Sequence, residues 1–221
     1  MSKHRVGLAP EGARIIIISA ILVVIAVVFS ILTKGGEGLW LPAVTSIWFL
    51  GVVQFFRDPL RSPPSGDMII VSPADGKIIS IGEAVNSPLT PAGTRISIFM
   101  SPFNVHVNRA PYKGTVVSAE HRNGSFKSAF KPSASHENEQ VKVLMDTSYG
   151  KLAFIQIAGF LARRIVFHPK PGDLLTTGER IGMIRFGSRV DLFLPENAIL
   201  KVNNGDNVTA GVTIIGEFRD E

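Results

Sequence analysis

Ile15 to Leu32 (IIIISAILVVIAVVFSIL) contains no charge and nothing more polar than serine. As a helix, at 1.5 Å per residue, the run reaches about 27 Å, close to the ~30 Å thickness of a bilayer's hydrocarbon core. Water is a poor solvent for such a helix, so this run predicts a membrane segment before anything else in the chain is considered. A second run, Leu39 to Phe56 (LWLPAVTSIWFLGVVQFF), follows after a short polar break, with Pro42 in its first turn, where a missing N–H costs little. A removable leader is disfavoured, because no small-residue cleavage site follows the first run and a second begins at once. The two runs predict a helical hairpin closed by residues 34–38 (KGGEG). Lys3, Arg5 and Arg14 precede it and Arg57 and Arg61 follow it, whereas the connection has Lys34 offset by Glu37. The excess of positive charge on the flanks places both ends, and the remainder of the chain, in the cytoplasm.

Arg57 to Asp67 (RDPLRSPPSGD) reads as a linker, dividing residues 1–56 from a domain over 68–221. In that domain short runs with strand-type patterning alternate with Gly, Pro and Asn. They fall at 68–71, 77–82, 95–100, 105–108, 115–120, 140–146, 152–158, 164–168, 180–184, 190–194 and 212–218. No long helical period occurs there, so the class is mainly β, a sandwich or partly closed barrel. Two internal repeats refine this. PADGKIIS (Pro73 to Ser80) matches PYKGTVVS (Pro111 to Ser118), and GDLLTTGERI (Gly172 to Ile181) matches GDNVTAGVTI (Gly205 to Ile214). Such paired turn elements resemble the barrel-sandwich fold of biotinyl and lipoyl carrier domains. The lysine such a carrier would display is missing: Met183 is followed by Ile184, Arg185, Phe186, Gly187 and Ser188.

Cysteine is absent from the 221 residues, which removes disulfides, thiolate nucleophiles and zinc–thiolate sites. The net charge of +5 fits an anionic lipid surface better than nucleic acid, since no dense Lys/Arg run occurs and there are only two Trp and two Tyr. No residue spacing marks a metal site.

Gly187-Ser188 interrupts an apolar run where a strand would prefer a side chain to pack. The bland reading is a bulge or turn, as at Gly124-Ser125. The chemical reading is that a serine hydroxyl attacks the carbonyl of the residue before it, an intramolecular reaction with high effective molarity when the geometry is held. The resulting ester is lost by β-elimination, and the dehydroalanine left behind tautomerises and loses ammonia to become a pyruvoyl group. Its ketone forms a Schiff base with an amine and serves as an electron sink, the role pyridoxal phosphate plays elsewhere. Decarboxylation is the natural reaction, and a membrane segment beside such a site points to a lipid substrate.

On these grounds the chain resembles the phosphatidylserine decarboxylase family in its short, single-domain form. The motifs that carry the resemblance are FFRDPLRSPP (Phe55 to Pro64), SPADGKI (Ser72 to Ile78), MSPFNVHVNRAP (Met100 to Pro111), ENE (Glu137 to Glu139), IAGFLARRI (Ile157 to Ile165) and GERIGMIRFGSRVD (Gly178 to Asp191). The resemblance implies self-cleavage between Gly187 and Ser188 into a β chain of residues 1–187 and an α chain of 188–221 that begins with the pyruvoyl. It needs neither metal nor pyridoxal phosphate. It casts Ser188 as nucleophile and later cofactor, and His106 as base. Asp75 would orient that histidine as the acid of a triad does; an ordinary Asp-Gly turn is the competing reading. Longer relatives carry a second histidine where this chain has Arg109, so one histidine, or a water or backbone group, has to cover both steps. Arg163 and Arg164 are candidates for lipid phosphate or carboxylate, against a solvated strand end, and His136 and Glu137 for the substrate mouth. Phe126, Phe130 and Phe160 either dip into the bilayer or pack. His4, His121 and His168 are expected to be solvated. A membrane-tethered adaptor that is never cut, and the same chemistry on an archaeal-type serine lipid, are the rival readings; a homo-oligomer is neither required nor excluded.

Overall fold

A computed structural model describes residues 7–33, 38, 40–84, 93–125, 137–159, 164–185 and 188–219. The chain divides into two compact units, residues 1–60 and 61–221.

In the first unit Pro10–Gly12 forms a 3₁₀ turn with proline at its start, where no N–H is required. It leads into α1 (Ala13–Leu32), whose 20 residues rise about 30 Å, enough to cross a membrane. Ile17, Val24, Ile25 and Ile31 are all more than half exposed along it, as expected of a helix apolar on every side. The second helix, α2 (Trp40–Phe55), has 16 residues and rises about 24 Å. It is the shorter partner of the expected pair, and length alone makes only α1 a spanning helix. Trp48 Nε1 donates to Ser19 Oγ at 3.2 Å, joining the two helices. Their outer ends are tied by β1 (Gly7–Leu8), antiparallel to β2 (Arg57–Asp58), and by Ala9 N donating to Phe56 O at 2.7 Å. The chain therefore enters and leaves this unit at one end. Arg57 and Asp58, read from sequence as linker, are part of it.

The second unit is entirely β among its described elements. Its strands are β3 (Ile69–Val71), β4 (Gly76–Glu83), β5 (Thr94–Met100), β6 (Val107–Arg109), β7 (Gly114–Arg122), β8 (Gln140–Thr147) and β9 (Gly150–Ala158). There follow β10 (Ile165–Phe167), β11 (Leu174–Leu175), β12 (Arg180–Ile184), β13 (Ser188–Leu194), β14 (Ala198–Leu200), β15 (Asn207–Val208) and β16 (Ile214–Phe218). A curled antiparallel sheet runs β11-β7-β8-β9-β13-β5-β4-β15, with β10-β12-β6 and β14-β16-β3 as two small sheets.

These orders read the same after a pseudo-twofold exchange of β3–β4–β5 with β6–β7–β8, of β9 with β13, and of β10–β11–β12 with β14–β15–β16. The hydrogen bonds repeat accordingly. Val71 N to Pro111 O is answered by Arg109 N to Pro73 O, both 2.9 Å. Gly178 N to Ala110 O is answered by Gly211 N to Ser72 O, both 2.8 Å. The ladder register slips between Val116 and Ser118 in one half and between Ile78 and Ser80 in the other. The Gly-Asp turns match too, with Gly172 and Gly205 at φ 95° and 96° and the Asp173 and Asp206 carboxylates each accepting the backbone N–H three residues earlier. The repeats read from sequence are thus the turns and strands of two related halves.

One face of the central strands forms the core: Ile96 and Ile98 from β5, Leu152 and Phe154 from β9, Val190, Leu192 and Leu194 from β13, all fully buried. Each such side chain contributes roughly 1.5–3 kcal/mol by leaving water. All seven residues of β13 are buried, because it is paired on both edges, to β5 and to β9.

Candidate active site

Two connections pass from the large sheet to the small sheet β10-β12-β6. One is residues 101–106, between β5 and β6; the other is residues 185–187, between β12 and β13. Antiparallel pairing brings their ends together. Ile184 N donates to His106 O at 3.3 Å, and Arg185 N to Arg164 O at 3.2 Å. In the large sheet Ser188 lies opposite Met100 and Ala158, the last residues of β5 and β9. Residues separated widely in sequence thus meet at one end of both sheets.

Ser188 is fully buried and its Oγ lies 3.2 Å from Met100 Sδ. A thioether is a weak acceptor, so the hydroxyl is oriented without being tied up by a strong bond.

His106 is also fully buried, and its Nδ1 lies 2.9 Å from the Asn104 carbonyl oxygen. A carbonyl can only accept, so Nδ1 carries the proton and Nε2 of the neutral ring holds the lone pair, the form a general base requires. The loop is braced by its own side chains: Asn104 Oδ1 accepts from Ser101 N and from Ser101 Oγ, both at 2.8 Å.

Asp75 is bonded through both of its carboxylate oxygens. Its Oδ1 accepts from Ala210 N at 2.7 Å and its Oδ2 from Arg61 Nη2 at 3.0 Å, with both side chains largely buried. The carboxylate thereby joins the first residues of the β unit to the Ala210 turn.

The ENE motif acts through its neighbours. Glu137 is exposed and its carbonyl accepts from Ser125 N and Oγ. Asn138 Nδ2 donates to Ala158 O at 2.7 Å and Glu139 O accepts from Ala158 N at 2.9 Å, so the motif grips the residue opposite Ser188. Glu139 also receives His121 Nε2 at 3.0 Å, so His121 is in an ion-pair geometry rather than simply solvated. Arg164 is exposed at the start of β10. Gly187, Arg163, His136, Phe126, Phe130 and Phe160 lie outside the described residues.

Sequence reasoning missed a buried polar chain beside Ser188. Asn108 Nδ2 points at Met100 Sδ (3.7 Å), the same sulfur that Ser188 contacts, and Asn108 Oδ1 accepts from Gln156 Nε2 at 2.8 Å. This bond sets the Asn108 amide with its NH₂ toward the sulfur. Gln156 Oε1 is a buried acceptor with no partner among the described residues. The signal was present: Asn108 and Gln156 are polar interruptions in the apolar strands VHVN and FIQIA. On the opposite face of β13, Arg189 and Asp191 make a buried forked ion pair, at 2.9 Å (Nε–Oδ1) and 3.1 Å (Nη2–Oδ2). A cavity of about 290 Å³ has Val141, Ile165 and Phe167 as apolar lining and His121 and Lys170 as polar lining.

A hydroxyl on a weak acceptor, a histidine with its basic nitrogen defined and a buried amide pair are components of acyl transfer followed by proton abstraction. Comparison with known proteins agrees with that chemistry. Residues 48–216 match the family model described as phosphatidylserine decarboxylase. The phosphatidylserine decarboxylase proenzyme of Chlorobium chlorochromatii (strain CaD3) is 44% identical over 188 residues, covering 81% of this chain and 89% of that protein. The proenzyme of the same name from Trichlorobacter lovleyi is 44% identical over 209 residues, covering 94% and 95%. That from Geotalea uraniireducens is 48% identical over 168 residues, covering 76% and 79%.

Proposed function

The chain belongs to the phosphatidylserine decarboxylase family, and from that premise we propose that Ser188 is the residue that cuts its own chain and becomes the cofactor, with His106 as the base. The family is a carboxy-lyase family of proenzymes, and the chain is an enzyme that converts phosphatidylserine to phosphatidylethanolamine. That membership sets aside the adaptor reading. The relatives' names specify phosphatidylserine, and nothing here favours an archaeal-type lipid instead.

The assignment to Ser188 is carried by one observation: the hydroxyl at the start of β13 is fully buried and held on Met100 Sδ. In the proposed step Ser188 Oγ gives its proton to His106 Nε2 and bonds to the Gly187 carbonyl carbon. The C–N bond breaks and the nitrogen takes up a proton. Loss of the Ser188 α-proton then expels the Gly187 carboxylate. The enamine becomes an imine, water adds, and ammonia leaves. The surroundings suit the product, because the serine Cβ ends as a methyl group beside a thioether and Ala158. A pyruvoyl there supplies a ketone that captures the substrate amine and draws electrons from the bond to the departing carboxylate. His106 is assigned the return of a proton to the carbon left behind. Arg164 is assigned to the lipid headgroup, together with Arg163, His136 and Glu137 from the same sequence motifs; an arginine fork suits phosphate and carboxylate alike.

The duplicated halves support a barrel-sandwich reading of the β unit, and the paired helices a hairpin inserted in the cell membrane. Because β1 and β2 pair, Arg57 lies at the end of this unit where α1, with Arg14, begins, which supports a cytoplasmic catalytic domain. Cysteines substituted singly for Ser2 and for Asn204 should both resist an impermeant maleimide in intact cells and react after lysis; labelling of intact cells reverses the orientation.

The wild-type chain should run on a denaturing gel as two fragments, the smaller starting at residue 188 with a blocked N-terminus. Ser188→Ala should give one chain of full mass. A Ser188→Ala chain that is still cut moves the nucleophile elsewhere.

A further inference from the structure

The reaction centre is buried while its substrate lies in a bilayer, so some surface of the β unit has to meet the membrane. We propose that the tip of the 101–106 connection is that surface, with Pro102 and Phe103 dipping into the bilayer interface and Arg164 and Arg185 meeting anionic headgroups beside them. The inference rests on the assignment of the site to Ser188 and His106.

Phe103 is 81% exposed, the most exposed large apolar side chain among the described residues, above any on α1 or α2. Three residues further on, His106 is fully buried. One short connection therefore runs from open solvent to the proposed base. The tip is also fixed in place: Asn104 N donates to Ser101 O at 3.0 Å, and the Ser101–Asn104 side-chain bonds close the same turn. A ring held out by an ordered turn loses little freedom when it inserts, unlike one on a floppy loop. Aromatic rings are favoured at the headgroup level of a bilayer.

Charge agrees. The antiparallel order β10-β12-β6 puts the residues before β10, after β12 and before β6 at one end. Those are Arg164, which is exposed, Arg185, which is half-buried, and the connection that bears Phe103. Phosphatidylserine carries net negative charge, so an aromatic tip flanked by two arginines fits a lipid surface better than an apolar protein groove. Leu174, 75% exposed, belongs to β11 and pairs with Thr115 at the start of β7, the opposite end of the large sheet. It provides an internal control of similar exposure.

The natural chain has no cysteine, so Phe103→Cys and Leu174→Cys each offer one site for a nitroxide label on the full chain in phosphatidylserine/phosphatidylcholine vesicles. The label at 103 should be more accessible to oxygen than to a water-soluble nickel chelate, and the label at 174 the reverse. Equal chelate access at both overturns the proposal, as does protection at 103 that persists in detergent without vesicles and so marks a protein contact. Independently, Phe103→Asp should lower the ratio of turnover on long-chain lipid in vesicles to turnover on dispersed short-chain lipid by roughly tenfold. An unchanged ratio overturns it. Failure of the underlying assignment shows separately, as a wild-type chain that is never cut at Ser188.

Discussion

Ser188 Oγ rests on a sulfur and His106 Nδ1 on a carbonyl oxygen. His106→Ala should slow self-cleavage by about 10²–10⁴-fold, the usual scale for a general base, followed by gel from freshly made chain; cleavage at the wild-type rate removes His106 from that step. Asp75 predicts a different phenotype. Asp75→Ala breaks an almost buried ion pair and a bond to Ala210 N, which should cost about 1–3 kcal/mol of stability. If its role is the tie to Arg61, Arg61→Ala should cost a similar amount and the double variant less than the two added, as measured by denaturant unfolding. Asp75→Ala with normal stability but slow cleavage would support the triad reading. Ser188 and His106 were singled out because motif and chemistry coincide at those positions. The Asp75 contacts were not legible, since Arg61 and Ala210 become its neighbours only when both ends of the domain fold onto the same turn.

At the level of strands, the entry to Ser188 depends on β12. Gly182 has φ 149°, and a Cβ there would overlap the Val166 carbonyl oxygen across the β10–β12 ladder. Gly182→Ala should therefore disturb the β10-β12-β6 sheet, lower stability by roughly 2 kcal/mol or more, and leave a larger uncut fraction, seen in one expression series by gel. An intact, fully cut variant would show that the ladder relaxes freely. Tyr112 offers a pH test on the opposite half. Its hydroxyl donates to the Asp67 carbonyl and its ring meets Phe218 edge-on at 4.9 Å. Burial raises its pKa above the usual 10.0. The folded state thus favours the neutral phenol, and its contribution is complete below pH 10 and lost as pH rises through the raised value. In a Tyr149→Phe background, which leaves one tyrosine, absorbance should report ionisation above 10 in the folded chain and a return toward 10 in denaturant. The longer strands were legible from alternation within a residue or two. β11, β14 and β15 were not, because two or three residues carry no period, and their pairing comes from the turns beside them.

Scission at the Gly187–Ser188 junction would leave an α chain whose first strand, β13, is the filling of the sheet. It pairs along its length with β5 and β9, while β15 pairs with β4 and β16 with β3 of the β chain and with β14. The two fragments should therefore co-elute in mild detergent and separate only in denaturant; separation under native conditions would mean that the cut precedes folding of the sheet. The duplication also sets the start of β13 apart from its counterpart. In the pseudo-symmetric half the strand equivalent to β13 is β9, which follows β8 through a tight hairpin at Thr147–Gly150 within one sheet. β13 is reached instead from β12, a strand of a different sheet, beside the crossing that carries His106.

The membrane segment, the β class, the two repeats and the Gly-Ser step were determined by sequence alone, because each is set by local physics: apolar length, alternation, turn chemistry and the reactivity of a hydroxyl beside a carbonyl. The tertiary structure decided what those features touch. It put His106 Nδ1 on a backbone carbonyl, Asp75 on Arg61, and the ENE motif on the strand partner of Ser188. It also joined Asn108 to Gln156, two amides 48 positions apart. Such pairings depend on register and on the crossing of sheets, which no local pattern encodes.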